Sequence, residues 1–502
     1  MQSMSRVARL SGLVAIAEGF GKLLAAQGYT PTGLSRTLQP SAMDSAEAYR
    51  VAPDHFEATV LAHRLAGSRL SVLVRLFLAG STTTRLEAAD ALQPLTVDAL
   101  ASAGLLIRDD DRVQAAVRIG WCDGLLVCHD WHDGRTAHRE DVVGVAQASL
   151  TLADLTVRQP GADVLDVGTG GGVQALLAAG HAKTVTGTDI NPRALDLAAF
   201  GAALNGLHSL AWREGSLLEP VAQNTFDLIT VNPPFIISPD NTFMWRDATP
   251  SGGAGTLCGL LLRDVAHHLR PDGWGSMLAS WLHDASGDWS VPVRAWLAEL
   301  GCDAWVLRFS SQDPLGYAHT WLAQTEHTSA GFAAALDRWL TFYRDEHIDA
   351  IATGAIVLHR RADPEVYTWV DEMPASPTGP AGEQIKRAFA QRRRLAGLGD
   401  RSDLLDEVLA PLPGTSLDQT LHRSDGAYHP APTQLWVQPG LTISAVIPPL
   451  ALPVMLELDG KRPLRASIHN AVENTGFGAD EVREQALATS TRLVELGLVE
   501  WR

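Results

Sequence analysis

Val164-Leu165-Asp166-Val167-Gly168-Thr169-Gly170-Gly171-Gly172, running on into Val173 to Ala179, is the stretch whose reading decides the fold. A short buried apolar run gives way to a glycine loop and then to an apolar run of helical length, which is the opening of a strand-loop-helix unit. Glycines at that junction let the backbone turn sharply and approach a ligand closely. Downstream, Thr184 to Asp189 forms a second expected strand, Pro192 sits at the first position of a helix from Arg193 to Leu204, and a short third strand lies near Ala211 to Arg213. Phe226 to Val231 is the fourth strand. A helix from Thr256 to Leu269, stopped by Arg270-Pro271-Asp272-Gly273, leads to a fifth at Trp274 to Ser280. Ala304 to Phe309 and Ala355 to Arg360 supply a last pair around a helical insertion. This alternation over residues 141–363 predicts an α/β domain built on a doubly wound parallel sheet, covered on both faces.

The flanks have a different character. Helical spacing marks Val7 to Leu24 and Phe56 to Leu78, followed by short helices around Leu86 to Leu92 and from Thr96 to Ala103. Leu105 to Val113 alternates like a hairpin with an acidic turn at Asp109-Asp110-Asp111, so residues 1–140 are expected to hold a helical, winged-helix-like domain. The expected recognition helix has no Lys or Arg, which favours a scaffold or protein-contact role over nucleic-acid binding. Proline-rich segments at Met373 to Pro380 and Pro411 to Pro413 introduce a third domain, residues 364–502. It ends in helices at Leu464 to Val472 and Ala479 to Ser490 and closes on Leu493 to Trp501, again a winged-helix-like pattern.

With 502 residues the chain exceeds what one core usually serves, and a formal charge of −17 opposes broad nonspecific polyanion binding. Cys122, Cys128, Cys258 and Cys302 lack the paired spacing of zinc sites and suit reduced thiols of a cytoplasmic protein. The apolar stretch Leu10 to Ala26 is interrupted by Glu18, Gly19, Gly21 and Lys22, so neither a membrane span nor a signal peptide is expected. His267-His268 and His283 are not at ligand spacing with carboxylates, and no metal is expected.

Chemistry concentrates on three strand ends. Asp189 closes the second strand, placed to accept both hydroxyls of a ribose, a feature shared by several nucleotide-containing ligands. Asn232-Pro233-Pro234-Phe235 follows the fourth strand, beside the crevice where open sheets hold ligands. A strand-terminating turn is the plain alternative for that tetrapeptide. Its residue types suit a flat, weakly nucleophilic nitrogen: the Asn232 side-chain oxygen and the Pro233 carbonyl accept N–H bonds, Phe235 offers a stacking face, and Pro233 and Pro234 stiffen the loop.

The runs VLDVGTGGGVQALLAA, TGTDINPRAL and FDLITVNPPFIISP resemble class I S-adenosylmethionine-dependent methyltransferases of the small-domain type, which include release-factor glutamine methyltransferases and ribosomal RNA base N-methyltransferases. The resemblance covers residues 141 to about 280 and implies a Rossmann-like fold and S-adenosyl-L-methionine as cofactor. It implies that Asp166, Gly168 and Gly170 meet the methionine part of the cofactor, and Asp189 with Ile190 the ribose and adenine. Asn232, Pro233, Pro234 and Phe235 would be the catalytic set. Many relatives carry an acidic residue after the third strand for the adenine amine, where this chain has Glu214-Gly215-Ser216-Leu217; Ser216 or Glu214 takes that place.

Two further segments bear on the site. Glu140 to Ser149 lies where relatives close over the cofactor, and Ser238 to Gly255, with Trp245, Arg246 and Asp247, is long enough for a substrate lid. Lys386 to Arg394 is the most basic stretch, either a phosphate clamp or a solvated helix face. The expected acceptor is a planar nitrogen of a macromolecule, a protein glutamine amide first. The alternatives are an exocyclic amine of RNA or DNA, and a non-catalytic winged-helix regulator that senses the cofactor.

Overall fold

A computed structural model describes residues 11–37, 50–131, 140–240, 256–324, 328–363 and 365–502. The described residues divide into two compact units, one holding those up to 152, 158–302 and 311–366, the other holding 153–157, 303–310 and 367–502.

The first unit begins with α1 (Ser11–Ala26), α2 (Pro31–Thr37), α3 (His55–Arg64) and α4 (Arg69–Phe77). The apolar run Phe56 to Leu78 is therefore two helices. Gly67 at φ 85° breaks it, and Ser68 restarts it by accepting the Ser71 N–H. β1 (Thr83–Thr84), α5 (Arg85–Ala91), α6 (Val97–Ser102), β2 (Leu106–Asp109) and β3 (Arg112–Ala115) follow, in a three-stranded sheet of order β1-β3-β2. Thr84 and Glu87 cap α5 reciprocally, and Thr96 caps α6. A second hairpin, β4 (Arg118–Cys122) and β5 (Leu125–His129), lies outside the sequence reading and turns at Asp123-Gly124, both with positive φ.

α7 (Gln147–Leu155) leads into the large sheet through β6 (Asp163–Val167), α8 (Val173–Ala178), β7 (Thr184–Asp189), α9 (Pro192–Leu204), β8 (Leu210–Glu214) and β9 (Phe226–Val231). Then come α10 (Thr256–His268), β10 (Leu269–His283), α11 (Val291–Leu297), β11 (Cys302–Gln312), α12 (Pro314–Leu322), α13 (Ser329–Asp345) and β12 (Ala350–Arg360). Within this unit the strand order is β12-β10-β9-β6-β7-β8. β9, β6, β7, β8 and β10 run parallel, but β12 runs antiparallel to β10, pairing Trp274 with His359 and His283 with Ala350. The sheet is mixed, and the all-parallel expectation is corrected. A strand buried on both faces has the same apolar pattern in either direction, so direction is not encoded in it.

The N-terminal helices share one core with α9. Phe20, Leu24, Leu73 and Phe77 are buried with Ala194, Leu197, Phe200 and Leu204. Gly21 permits the approach, since an added Cβ would strike the Leu204 carbonyl.

The second unit contains β13 (Thr368–Glu372), parallel to β11, and α14 (Gly382–Ala396). β14 (Leu409–Pro411) pairs with the terminal β20 (Val499–Trp501). Between them lie β15 (Thr415–Asp418), β16 (Leu421–Ser424), β17 (Ala427–Pro430), β18 (Thr433–Val437), β19 (Ala445–Ile447), α15 (Leu452–Leu456), α16 (Leu464–Thr475) and α17 (Ala479–Glu495). No helix of the described residues is long and apolar enough to cross a membrane.

Candidate functional site

β6, β7 and β9 are parallel and in register, with Val167 opposite both Thr188 and Val231. Their C-terminal ends are therefore level, and the loops that leave them meet at one edge. β6 is also where the strand order reverses, with β7 and β8 on one side and β9 and β10 on the other, the position at which open α/β sheets place a ligand crevice.

The glycine loop divides its labour. Gly168, Gly170 and Gly172 have φ of 65°, 54° and 84°, conformations that side chains disfavour. A Cβ at Gly168 or Gly170 would meet nothing within 4 Å among the described residues, which leaves space over these two positions for a ligand. Gly171 and Gly172 are needed for packing, because a Cβ would lie 2.7 Å from the Cys128 carbonyl oxygen or 3.0 Å from Ala198.

Asp166 lies beneath the loop and is only 2% exposed. The Thr169 hydroxyl donates to its Oδ2 at 2.7 Å and the Thr230 hydroxyl to its Oδ1 at 3.0 Å. Thr230 stands two residues before Asn232, so this carboxylate ties the glycine loop to the strand that carries the Asn-Pro-Pro motif. Burial pushes its carboxyl up to about 6, against the two hydroxyl donors.

Asp189 binds the loop from the other side. Its Oδ2 accepts the Gly170 N–H at 2.8 Å and its Oδ1 the Asn191 N–H at 2.9 Å, and burial raises this carboxyl as well. Asn191 caps α9, and its amide donates to the Glu140 carbonyl at 2.8 Å, which brings the upstream segment beside the site. Ile190 is 56% exposed, a free apolar face next to Asp189. The Gly215 N–H donates to the Asp189 carbonyl at 3.0 Å, so half-buried Ser216 is held at the same sheet end while Glu214 is exposed.

Asn232 to Phe235 leave the ladder directly after Val231. Pro233 is buried, whereas Asn232, Pro234 and Phe235 are half-buried, and the Phe235 ring meets Trp321 edge-on at 5.9 Å. The sequence reading thus named residues of all three strand ends. It missed Thr169 and Thr230, for which hydroxyls within reach of a buried strand-end aspartate are the available signal. It also missed Tyr317 and Tyr343, which hold the motif loop from far along the chain. Most of the segment considered as a lid, residues 241–255, with Trp245, Arg246 and Asp247, lies outside the described residues.

The basic stretch is divided: Lys386 and Arg394 are exposed, while Arg387, Arg392 and Arg393 turn inward. In α14, Arg392 is buried over the Trp305 ring at 4.3 Å and pairs with Asp371 at 2.7 Å; Arg393 pairs with fully buried Asp303. Arg387 donates to the Gly497 carbonyl, and Arg394 pairs with Glu407. These guanidiniums knit the second unit together, because carboxylates and carbonyls distant in sequence converge on them.

Residues 144–246 match the methyltransferase small domain family, and residues 26–116 match a domain of unknown function, DUF7059. The chain is 37% identical over 128 residues to a release factor glutamine methyltransferase of Xylella fastidiosa, covering 24% of this chain and 46% of that protein. It is 36% identical over 121 residues to a ribosomal protein uL3 glutamine methyltransferase of Bradyrhizobium diazoefficiens, covering 22% of this chain and 38% of that one. The chain thus spans less than half the length of these two relatives. Among solved structures, a ribosomal protein L11 methylase of Lactobacillus delbrueckii subsp. bulgaricus is 22% identical, covering 43% of this chain and 77% of that one at a TM-score of 0.24.

Proposed function

We propose that this chain, whose residues 144–246 match the methyltransferase small domain, is an S-adenosyl-L-methionine-dependent N-methyltransferase acting on a planar nitrogen of a macromolecule, in the first place a protein glutamine amide. The observation that carries the reading is the Asp166 carboxylate, which joins the glycine loop through Thr169 to the Asn232 strand through Thr230. The proposed cofactor cradle and the proposed acceptor motif therefore face one crevice. Names of the relatives support a glutamine acceptor, and the inward-turned Arg392 and Arg393 of α14, paired with Asp371 and Asp303, leave fewer cations for a phosphate backbone.

The open Cβ positions of Gly168 and Gly170 fit the close approach of the cofactor's methionine part. Asp189 retains lone-pair capacity for a ribose hydroxyl beyond the backbone N–H bonds it accepts from Gly170, Asn191 and Ile190, and the Ile190 side chain offers an apolar face to adenine. When bound, S-adenosyl-L-methionine would supply an electrophilic methyl group, with the neutral thioether as its leaving group. An amide nitrogen is a poor nucleophile because its lone pair is delocalised. Asn232 and the Pro233 carbonyl accept its N–H hydrogens and turn the lone pair toward the methyl carbon. Phe235 covers the amide plane, and the proton lost from nitrogen passes to solvent.

The helices α4, α5 and α6 with the sheet β1-β3-β2 have the element order of a winged helix, and we assign this module and the C-terminal residues 364–502 to holding a large substrate. The test is incubation of purified protein with radiolabelled S-adenosylmethionine and a cell extract. Protease-sensitive label supports the reading. Nuclease-sensitive label replaces it with RNA or DNA methylation, and label in neither fraction overturns transfer to a macromolecule.

A further inference from the structure

The peptide of Ile237 is buried two residues beyond Phe235, on a chain that has left the sheet. Its N–H donates to the Tyr317 hydroxyl oxygen at 3.1 Å, and its carbonyl accepts the Tyr343 hydroxyl at 2.7 Å. Tyr317 comes from α12 and Tyr343 from α13. The backbone N–H and C=O of one buried residue, which belong to consecutive peptide groups, are thus both satisfied by side chains of an insertion between β11 and β12, not by a neighbouring strand. Burial pushes the Tyr317 phenol up to about 12, so it stays neutral.

The same two helices grip the loop at two more points. Arg338 holds Asp240 with two parallel bonds of 3.0 Å, and the Trp339 indole N–H donates to that carboxylate at 2.6 Å. Trp321 meets Phe235, and Tyr317 meets Trp321 edge-on at 6.1 Å. Between Asn232 and Asp240 the chain is therefore held at ring, peptide and carboxylate by one helical pair. Two prolines stiffen its start, but they do not set where the loop lies.

We infer that α12 and α13 are a positioning brace for the acceptor loop, with Tyr317 and Tyr343 as positioning residues that fix the Asn232 and Pro233 acceptors relative to the methyl donor. This rests on the transfer reading above. A planar acceptor needs two oxygens at a set angle, and a loop free to shift by about an ångström forfeits roughly a hundredfold in rate. The brace acts on transfer and leaves the cofactor cradle, built on β6 and β7, alone.

The test uses Tyr343→Phe, Tyr317→Phe and the double variant in the full chain, with Val113→Ala, a buried substitution in β3 far along the chain from the loop, as the destabilised control. The expected result is faster hydrogen exchange in the 232–240 segment of each tyrosine variant and not of the control. S-adenosylhomocysteine affinity should stay within about twofold. With the protein fraction of an extract as acceptor, kcat should fall at least about tenfold and KM change little, the two single losses not adding because both act on the backbone of one residue. Unchanged exchange in that segment overturns the brace, and so does kcat within twofold of the parent. If the parent protein transfers no label, the function reading fails by itself, and the exchange data still decide whether the insertion holds the loop.

Discussion

The carboxylate of Asp189 accepts the backbone N–H of Gly170 at 2.8 Å, across the gap between the ends of two adjacent parallel strands. The proposed ribose acceptor and a glycine-loop amide are thereby held in one geometry by a bond within the protein. Gly170 at φ 54° presents its N–H to that carboxylate, and a Cβ there would meet nothing within 4 Å among the described residues.

Asp189→Ala should therefore weaken S-adenosylhomocysteine binding through both preorganisation and direct contact. A hydrogen bond to a charged group contributes roughly 1.5 to 3 kcal/mol, so a loss of about ten- to a hundredfold in Kd is expected by calorimetry. Asp189→Asn, which keeps an acceptor for Gly170, should lose less. Equal affinity of Asp189→Ala and the parent would remove Asp189 from the cofactor site.

The second aspartate gives a pH signature. Burial raises the Asp166 carboxyl from its ordinary 3.8 to about 6, so the folded chain holds this proton more tightly than the unfolded chain. This group's contribution to stability is greatest below the unfolded value and is lost as pH rises toward 6. Ionised Asp166 then costs up to about 3 kcal/mol at neutral pH, from roughly 1.4 kcal/mol per pH unit. Asp166→Asn keeps the shape and removes the charge. Its Tm relative to the parent should be more favourable at pH 7.5 than at pH 4.5, by differential scanning calorimetry. A Tm difference independent of pH would show that Asp166 does not titrate in this window.

What was legible in the chain follows from how local each signal is. The β6 to β9 strands and their helices announce themselves by period, by Pro192 at a helix start and by glycines where φ is positive. The β4–β5 hairpin carries a local signal too, since Asp123-Gly124 between apolar runs is a turn signal, although no element was expected there. The antiparallel direction of β12 was not, because apolar runs carry no polarity. Tyr317 and Tyr343 lie 80 and 106 residues from Ile237, and nothing near either tyrosine points to that peptide. Likewise the arginines of α14 show their charge in the sequence but not the buried acids they face.

Asp371 shows what those arginines hold. It is buried, accepts from Arg392 at 2.7 Å and from the Trp305 indole at 2.7 Å, and pairs with Arg492. Burial works to raise its carboxyl, but Arg392 and Arg492 outweigh it and keep the group below its ordinary range. Asp371→Ala leaves the 3%-exposed Arg392 side chain without its carboxylate partner, only the Glu495 carbonyl still accepting from its Nε, and should destabilise the second unit by about 3 to 5 kcal/mol in denaturant unfolding. A loss under about 1 kcal/mol would mean the network is dispensable. Stability from the depressed carboxyl is present above its unfolded value and is lost as pH falls through the folded one, so the parent should show an acid-side loss that Asp371→Ala lacks.

The most direct test of the chemistry is Asn232→Ala. Asn232 is half-buried at the first position beyond β9, outside the carboxylate links among Asp166, Thr169 and Thr230 that hold the loops together. Removing its amide takes away one acceptor for the target nitrogen and leaves the glycine loop and Asp189 as they are. A preorganised hydrogen-bonding group aimed at the reacting centre contributes about a hundred- to a thousandfold in rate, and transfer should fall by that much. S-adenosylhomocysteine affinity should remain within about twofold, because Gly170 and Asp189 keep their bond. Asn232→Gln, which places the same amide one methylene farther out, should not restore the rate, since the group must meet a fixed angle as well as a fixed reach. Loss of cofactor binding in a folded Asn232→Ala protein would instead make Asn232 part of the cofactor site and leave the acceptor nitrogen without its proposed partner.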